Sequence, residues 1–377
     1  MSAVYLDCNA TTPIDPEVER EFLVYVREEF GNAGSRTHEY GNRAKSAVQR
    51  ARDQLAAVVR VQREDVIFTS GATESNNLAI LGLRAHAEKT GHRHIIATAI
   101  EHKAVLEPLE FLAEHGFEIT LLKPQPGGAV SAGQVADALR PDTVLVSVMH
   151  VNNETGIIQP LDEIASALAK HEAFFHVDAA QGFGKRIPEL QNPRIDLISV
   201  SGHKLYAPKG IGALILRRRG YDRPPLKPLL FGGGQERGLR PGTQPVALIV
   251  AIGKAAEIAV RDHAKRTKRC QQIKEQAIVA FQQLGAVITG DQSKAVSNTL
   301  NVAIPGLDSE AVMVALKEVV AISNGSACTS ASYTPSHVLT AMDLAEDQIK
   351  GAIRLSWCHL TPDVDWKPVA DAIRGLH

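Results

Sequence analysis

Two apolar runs in this chain end in residues able to do covalent chemistry. "FHVDAAQGFGK" (residues 175–185) carries one into Asp178, and "DLISVSGHKLYAPKGIGALIL" (196–216) carries another into Ser201, His203 and Lys204. A lysine after an apolar strand, bracketed by Gly202 and Gly210, is placed to lose water and condense with a carbonyl as a Schiff base. An aspartate at a neighbouring strand end then suits pyridoxal 5'-phosphate, whose ring nitrogen must stay protonated for the ring to draw electrons. Singly, Asp178 reads equally well as a helix N-cap and Lys204 as a surface charge after a turn. Together they point to one site.

Other segments supply complementary groups. In "VIFTSGATESNNLAI" a strand-like run meets Gly71, Ala72 and Thr73 and turns at once helical, so free amides and a hydroxyl could hold a phosphate. Thr and Ser are also ordinary helix caps. "TAIEHKAVLEPL" sets His102 at a strand-to-helix junction, where an imidazole could stack on a ring or move a proton. "MHVNNETGIIQP" places Asn152, Asn153 and Glu154 after an apolar run, and "GLRPGTQP" offers Arg240 and Thr243 in a loop able to reach a second subunit. In "SNGSACTSASYTP" (323–335), Cys328 sits among small and hydroxyl side chains, an exposed setting unlike the apolar one usual for cysteine.

The elements that must position these residues follow from the hydrophobic pattern. "DVIFTS", "RHIIAT", "FEITLL", "TVLVSVMH", "AFFHVDAA", "DLISVSG" and "GALIL" are short apolar runs separated by amphipathic stretches, the pattern of a largely parallel sheet covered on both faces. A segment rich in Gly, Pro and Arg follows, then a helical stretch over 246–284, the strand-like "SNTLNVAIPG", a helix over 309–319, and "GAIRLSW". The expectation is a large α/β domain over 16–248 and a smaller α+β domain made of 1–15 and 249–377.

With 41 basic against 42 acidic residues in 377, the chain lacks the charge excess of a nucleic-acid binder or a polybasic membrane-surface protein. Neither a secretory leader nor a membrane span is evident, because "PVALIVAIGKAAEIAV" is interrupted by Lys254 and Glu257; a cytoplasmic location is expected. Cys8, Cys270, Cys328 and Cys358 show no C-x-x-C spacing and the histidines form no H-E-x-x-H, which argues against a zinc site or a disulfide framework.

The motifs "YLDCNATTP", "FGNAGSRTHEYG", "FTSGATESNN", "EHKAV", "SVMHVNNETG", "HVDAAQ", "SGHKLYAPKGIGAL", "GGGQERGLRPGT", "SNGSACTSAS" and "IRLS", in this order, make the chain resemble the cysteine desulfurases of the NifS/IscS type, in the class V aminotransferase family of fold-type I pyridoxal phosphate enzymes. The resemblance implies a mostly parallel seven-stranded sheet. It implies that Lys204 carries the cofactor, Asp178 pairs with its ring nitrogen, Gln181 meets the ring hydroxyl, and His102 stacks on the ring and moves protons. Thr73 with the Ala72 backbone, Ser201 and His203 would hold the phosphate, completed by Thr243 from the other subunit of a homodimer. Asn153 and Arg354 would grip the carboxylate of L-cysteine, and Cys328 would take its sulfur as a persulfide for an acceptor protein. Members with this loop form the long-arm group. The sulfur's use implied is iron–sulfur assembly, DNA phosphorothioation or tRNA thiolation. Scaffold-feeding members run on further past the "IRLS" region, and the resemblance allows other acceptors as well. The competing expectations are a selenocysteine lyase, another class V aminotransferase, or a partner-binding protein without catalysis; Cys328 separates the first reading from an aminotransferase, which needs no such thiol.

Overall fold

A computed structural model describes residues 3–324 and 335–376. All seven apolar runs form strands of one sheet: in spatial order Val66–Thr69, Gly212–Leu216, Leu197–Ser201, Phe174–Asp178, Thr143–Met149, His94–Thr98 and Glu118–Leu122. Only Gly212–Leu216 runs antiparallel to its neighbours. Successive side chains point to opposite faces of a strand, and here both faces are covered. Val146, Val148, Phe175, Val177, Ile198 and Val200 pack on one side with the helices Glu39–Val59 and Val246–Arg261. Leu145, Ile95, Ala97, Leu197 and Leu214 pack on the other with Ala72–Leu81 and Lys103–Glu114.

A smaller body holds a three-stranded antiparallel sheet, Ala352–Ser356 beside Thr299–Ala303 beside Val287–Ile288. The helices His263–Gln282, Ser309–Leu316 and Trp366–Arg374 cover it. The chain start belongs here as well: Val4–Tyr5 pairs in parallel with Val320–Ala321, and Asp7 bridges to Ser356.

The helical stretch expected over 246–284 is two helices, broken at Asp262, whose φ of −105° and ψ of 12° leave the helical region. The first of them buries Ile249, Ile252, Ala255 and Ala259 in the core of the larger body. We therefore propose that the division between the bodies falls at Asp262 rather than after residue 248. Among the described residues no helix is long and apolar enough to cross a membrane.

Two imidazoles are locked in the sheet region. His176 lies between the hydroxyls of Ser147 (2.8 Å) and Ser199 (3.0 Å), and burial pushes its pKa down to about 3. His150 is equally buried and is pushed down to about 4. Both fall below the ordinary histidine value of about 6.5, so the unfolded chain takes up protons first as pH drops. Their contribution to stability is complete above about pH 6.5 and is lost as pH falls towards 4 and 3. The urea midpoint is expected to decline steadily from pH 6.5 to 4, and His176→Gln to flatten that decline; a constant midpoint over this range would contradict the assignment.

Candidate active site

The carboxyl ends of the parallel strands open on a cavity of about 490 Å³, where open α/β sheets place ligands. The structure brings Ala72, Thr73, His102, Asn153, Asp178, Gln181, Ser201, His203, Lys204 and Arg354 to its walls. Thr243 is exposed and lies away from this cavity, beside Phe30 and Asn32 on another face. Cys328 lies outside the described residues.

Asp178 ends its strand at the cavity floor and is 5% exposed. Its Oδ2 accepts from the Asn76 amide at 2.7 Å and its Oδ1 from the Ala180 N–H at 2.9 Å. Lys204 closes a short 3₁₀ turn directly after the strand Leu197–Ser201, and its ammonium donates to the carbonyls of Asn9 and Ala10. The same Asn9 carbonyl accepts from Gln181 Nε2 at 3.0 Å, which draws lysine and glutamine to one point.

The helix Ala72–Leu81 starts at Gly71 without a side-chain cap, so its first amides face the cavity with Thr73, Ser201 and His203 around them. A side chain at Gly212 would put its Cβ 2.5 Å from the Gly71 Cα, so glycine at 212 is what lets the strand lie this close to the helix start. His203 Nδ1 lies 3.1 Å from the Thr11 hydroxyl; burial, reinforced by Lys204, pushes its pKa down to about 4. His102 caps the helix Lys103–Glu114 by accepting from the Ala104 N–H. Its ring opens to the cavity, yet the protein crowded around it lowers its pKa against the opposing pull of Asp178. Both rings are therefore neutral at pH 7. Behind His102, burial raises the Glu101 carboxyl to about 8.

Arg354, 2% exposed, is held in a fixed fork: Nη2 donates to Asp7 at 2.7 Å and Nη1 to the Asn153 carbonyl at 3.2 Å, while the buried Nε has no partner among the described residues. On both sides of residues 325–334 the chain is tied to this wall. Ser323 pairs with Arg354 through backbone bonds in both directions, Ser336 donates to the Glu154 carboxylate, and His337 Nε2 lies 2.9 Å from the Glu101 carbonyl.

Sequence reasoning passed over three residues that shape the site. Asn9 accepts from Lys204 and Gln181 through its carbonyl, and its side chain donates to the Asn153 carbonyl (3.0 Å) and the Thr299 hydroxyl (2.9 Å). Asn76 fixes Asp178, and Asp7 fixes Arg354. All three stand inside motifs, "YLDCNATTP" and "FTSGATESNN", but their partners lie more than 100 residues away, so their roles carry no local signal. Cys8, Cys270 and Cys358 are buried, matching structural thiols.

The donor set fits pyridoxal 5'-phosphate: an amine for its carbonyl carbon, a carboxylate for its ring nitrogen, and helix amides with hydroxyls for its phosphate, around a cavity of ligand size. The Aminotransferase class-V family model matches residues 4–365. The cysteine desulfurase IscS of Shewanella oneidensis is 43% identical over 356 residues, covering 94% of this chain and 87% of that protein. A solved structure described as a NifS-like protein superposes with a TM-score of 0.90 at 35% identity, covering 100% of this chain and 98% of its own. DndA from Streptomyces lividans superposes with a TM-score of 0.83 at 50% identity, covering 94% and 99%. With a doubly covered, mostly parallel sheet and this set of groups at its carboxyl edge, the chain belongs to the class V aminotransferase family, whose enzymes work with pyridoxal 5'-phosphate.

Proposed function

We propose that the protein is a cysteine desulfurase, taking sulfur from L-cysteine, releasing L-alanine and passing the sulfur through a Cys328 persulfide to an acceptor protein. The observation that carries this reading is the convergence of an amine, a carboxylate and a fixed guanidinium, Lys204, Asp178 and Arg354, on one cavity. It is supported by the cysteine desulfurase to which the chain is 43% identical.

Bound pyridoxal 5'-phosphate withdraws electrons from the substrate Cα and thereby loosens the bond between Cβ and sulfur. Lys204 would be the attachment point and would move the proton at Cα; Asp178, pinned by Asn76, would keep a proton on the ring nitrogen. Gln181 would serve the ring hydroxyl, and the neutral His102 would cover the ring and relay protons. The Ala72 amide, Thr73, Ser201 and His203 would hold the phosphate. Asn153 and Arg354 grip the substrate carboxylate, with the Arg354 Nε a donor without a partner among the described residues.

The Cys328 thiolate attacks the substrate sulfur. A sulfur–sulfur bond forms, the carbon–sulfur bond breaks, and its electron pair stays with the carbon skeleton, which is protonated to alanine. The ties of Ser323 to Arg354 and of Ser336 to Glu154 support this role, since the chain enters and leaves residues 325–334 at the cavity wall. The outward position of Thr243, together with exposed Phe30, Leu230 and Phe231, supports a homodimer in which Thr243 serves the neighbour's phosphate site.

The test is incubation of the holoenzyme with L-cysteine and a thiol reductant, with alanine and sulfide measured together. Equal amounts of both support the proposal; pyruvate, or alanine production that needs an added keto acid, would sink it. Arg354→Ala is expected to raise KM for L-cysteine about 10–100-fold, the worth of one charge-assisted contact, with a smaller change in kcat. An unchanged KM would remove Arg354 from the carboxylate site.

A further inference from the structure

A second cavity, of about 180 Å³, lies between the two bodies, bounded by Gly184–Arg186 and Tyr206 on one side and by parts of 263–271 and 295–298 on the other. Its charged lining is cationic, Lys185, Arg186 and Arg266, and no aspartate or glutamate is among its described lining residues. Two of these cations are neutralised from outside: Arg186 pairs with Glu189, and Arg266 with Asp15 at 2.7 Å. Lys185 has no carboxylate partner among the described residues. Its half-buried ammonium stands among Cys8, Cys270 and Cys358, whose thiols favour its charged form, and its hydrogen bond among the described residues is to Gln181 Oε1 at 3.4 Å. An ammonium brings three donors, and one long hydrogen bond leaves donors for a ligand. Arg266 adds a buried Nε without a partner, and Thr267, Gln271, Ser297 and Asn298 supply neutral polar groups.

We propose that this cavity is a binding site for a small inorganic oxyanion of the sulfate or phosphate type, held by Lys185 and Arg266. The volume suits such an ion with a few waters and is below that of sites for larger organic ligands. Burial lowers the pKa of Lys185, and a bound anion reverses that cost. The site is wired to the catalytic cavity, because the side chain that Lys185 holds, Gln181, lines that cavity and donates to the Asn9 carbonyl that also receives Lys204. An anion that draws the ammonium towards itself alters the grip on Gln181, so occupancy is read out at the cofactor ring.

The experiment uses holoenzyme, whose own phosphate-binding groups are already filled, titrated with millimolar sodium sulfate or sodium phosphate against sodium chloride at equal ionic strength. Concentrated sulfate stabilises proteins in general, so the criterion is a saturating change in the cofactor's visible band. The wild type is expected to show that hyperbolic change, and a Tm that rises with the logarithm of anion concentration above Kd, by about 2 °C at ten times Kd. Lys185→Met and Arg266→Gln lose both responses, and Lys185→Arg recovers them. A visible band that stays unchanged or drifts linearly with anion concentration, or responses of the same size in Lys185→Met and Arg266→Gln, overturns the proposal. Neither outcome bears on the desulfurase reading, which the alanine and sulfide assay decides separately.

Discussion

Lys204→Ala is expected to fold, to bind pyridoxal 5'-phosphate without the visible band of the lysine-linked form, and to lose activity on L-cysteine. The loss expected from the proton-moving role alone is about 10²–10⁴-fold, and loss of the covalent attachment adds to it. The ammonium donates to the backbone carbonyls of Asn9 and Ala10, and leaving an acceptor of this kind unsatisfied costs about 1–3 kcal/mol. Cys328→Ala separates the two halves of the reaction: the visible band stays, and sulfide release ceases. Absorbance of each purified variant, followed by alanine and sulfide measurement, checks both. A Lys204→Ala protein that keeps the lysine-linked band, or a Cys328→Ala protein that releases sulfide at the wild-type rate, would refute the corresponding role.

The second large effect is on stability. Arg52 and Glu236 form a buried pair, with side chains 9% and 3% exposed, joined by two bonds, one of them of 2.8 Å. Glu236 also accepts from the Phe68 N–H at 2.9 Å and from Gln244, while Arg52 donates to the Val66 carbonyl and lies over the Phe68 ring. Removing one partner strands the other charge, which costs about 3–5 kcal/mol. Glu236→Ala is therefore expected to lower Tm by about 4–6 °C, and Arg52→Met by a similar amount. The double variant Arg52→Met with Glu236→Leu should recover part of the loss, since an apolar pair leaves no charge uncompensated. Calorimetry of the three variants tests this; additive losses in the double variant would show that the two side chains act independently. Glu236 and Arg237 also sit at φ of 47° and 60°, a left-handed backbone that side chains resist, so the buried carboxylate holds in place the turn leading to Thr243.

The large sheet was legible because each of its strands is short, apolar and bounded by turn residues, and every run from "DVIFTS" to "GALIL" became a strand. Lys204 and Asp178 were legible for a related reason: strand ends are local features, and so are the groups that follow them. The break at Asp262 was not, because "IAVRDHAKRT" holds no Gly or Pro to mark a helix end and only the backbone angles interrupt the helix. Asn9, Asn76 and Asp7 were also out of reach. A polar side chain inside a motif announces nothing until the fold brings Asp178, Arg354 or Thr299 beside it. Lys185 followed "GFG" as an ordinary charge, and only the fold shows that the cavity beside it has no aspartate or glutamate among its described lining residues.

The pairing of Val4–Tyr5 with Val320–Ala321, and of Asp7 with Ser356 and Arg354, bears on when the enzyme can first work. During synthesis Asp7 and Asn9 leave the ribosome long before the strand Ala352–Ser356, so the sheet carrying Asp178 and Lys204 has emerged while Asp7 and Asn9 still lack their distant partners. A loop of more than 300 residues therefore closes only after Ala352–Ser356 has emerged. A partly made chain can thus hold a folded sheet without a finished substrate site, and thiol chemistry has to wait for that strand.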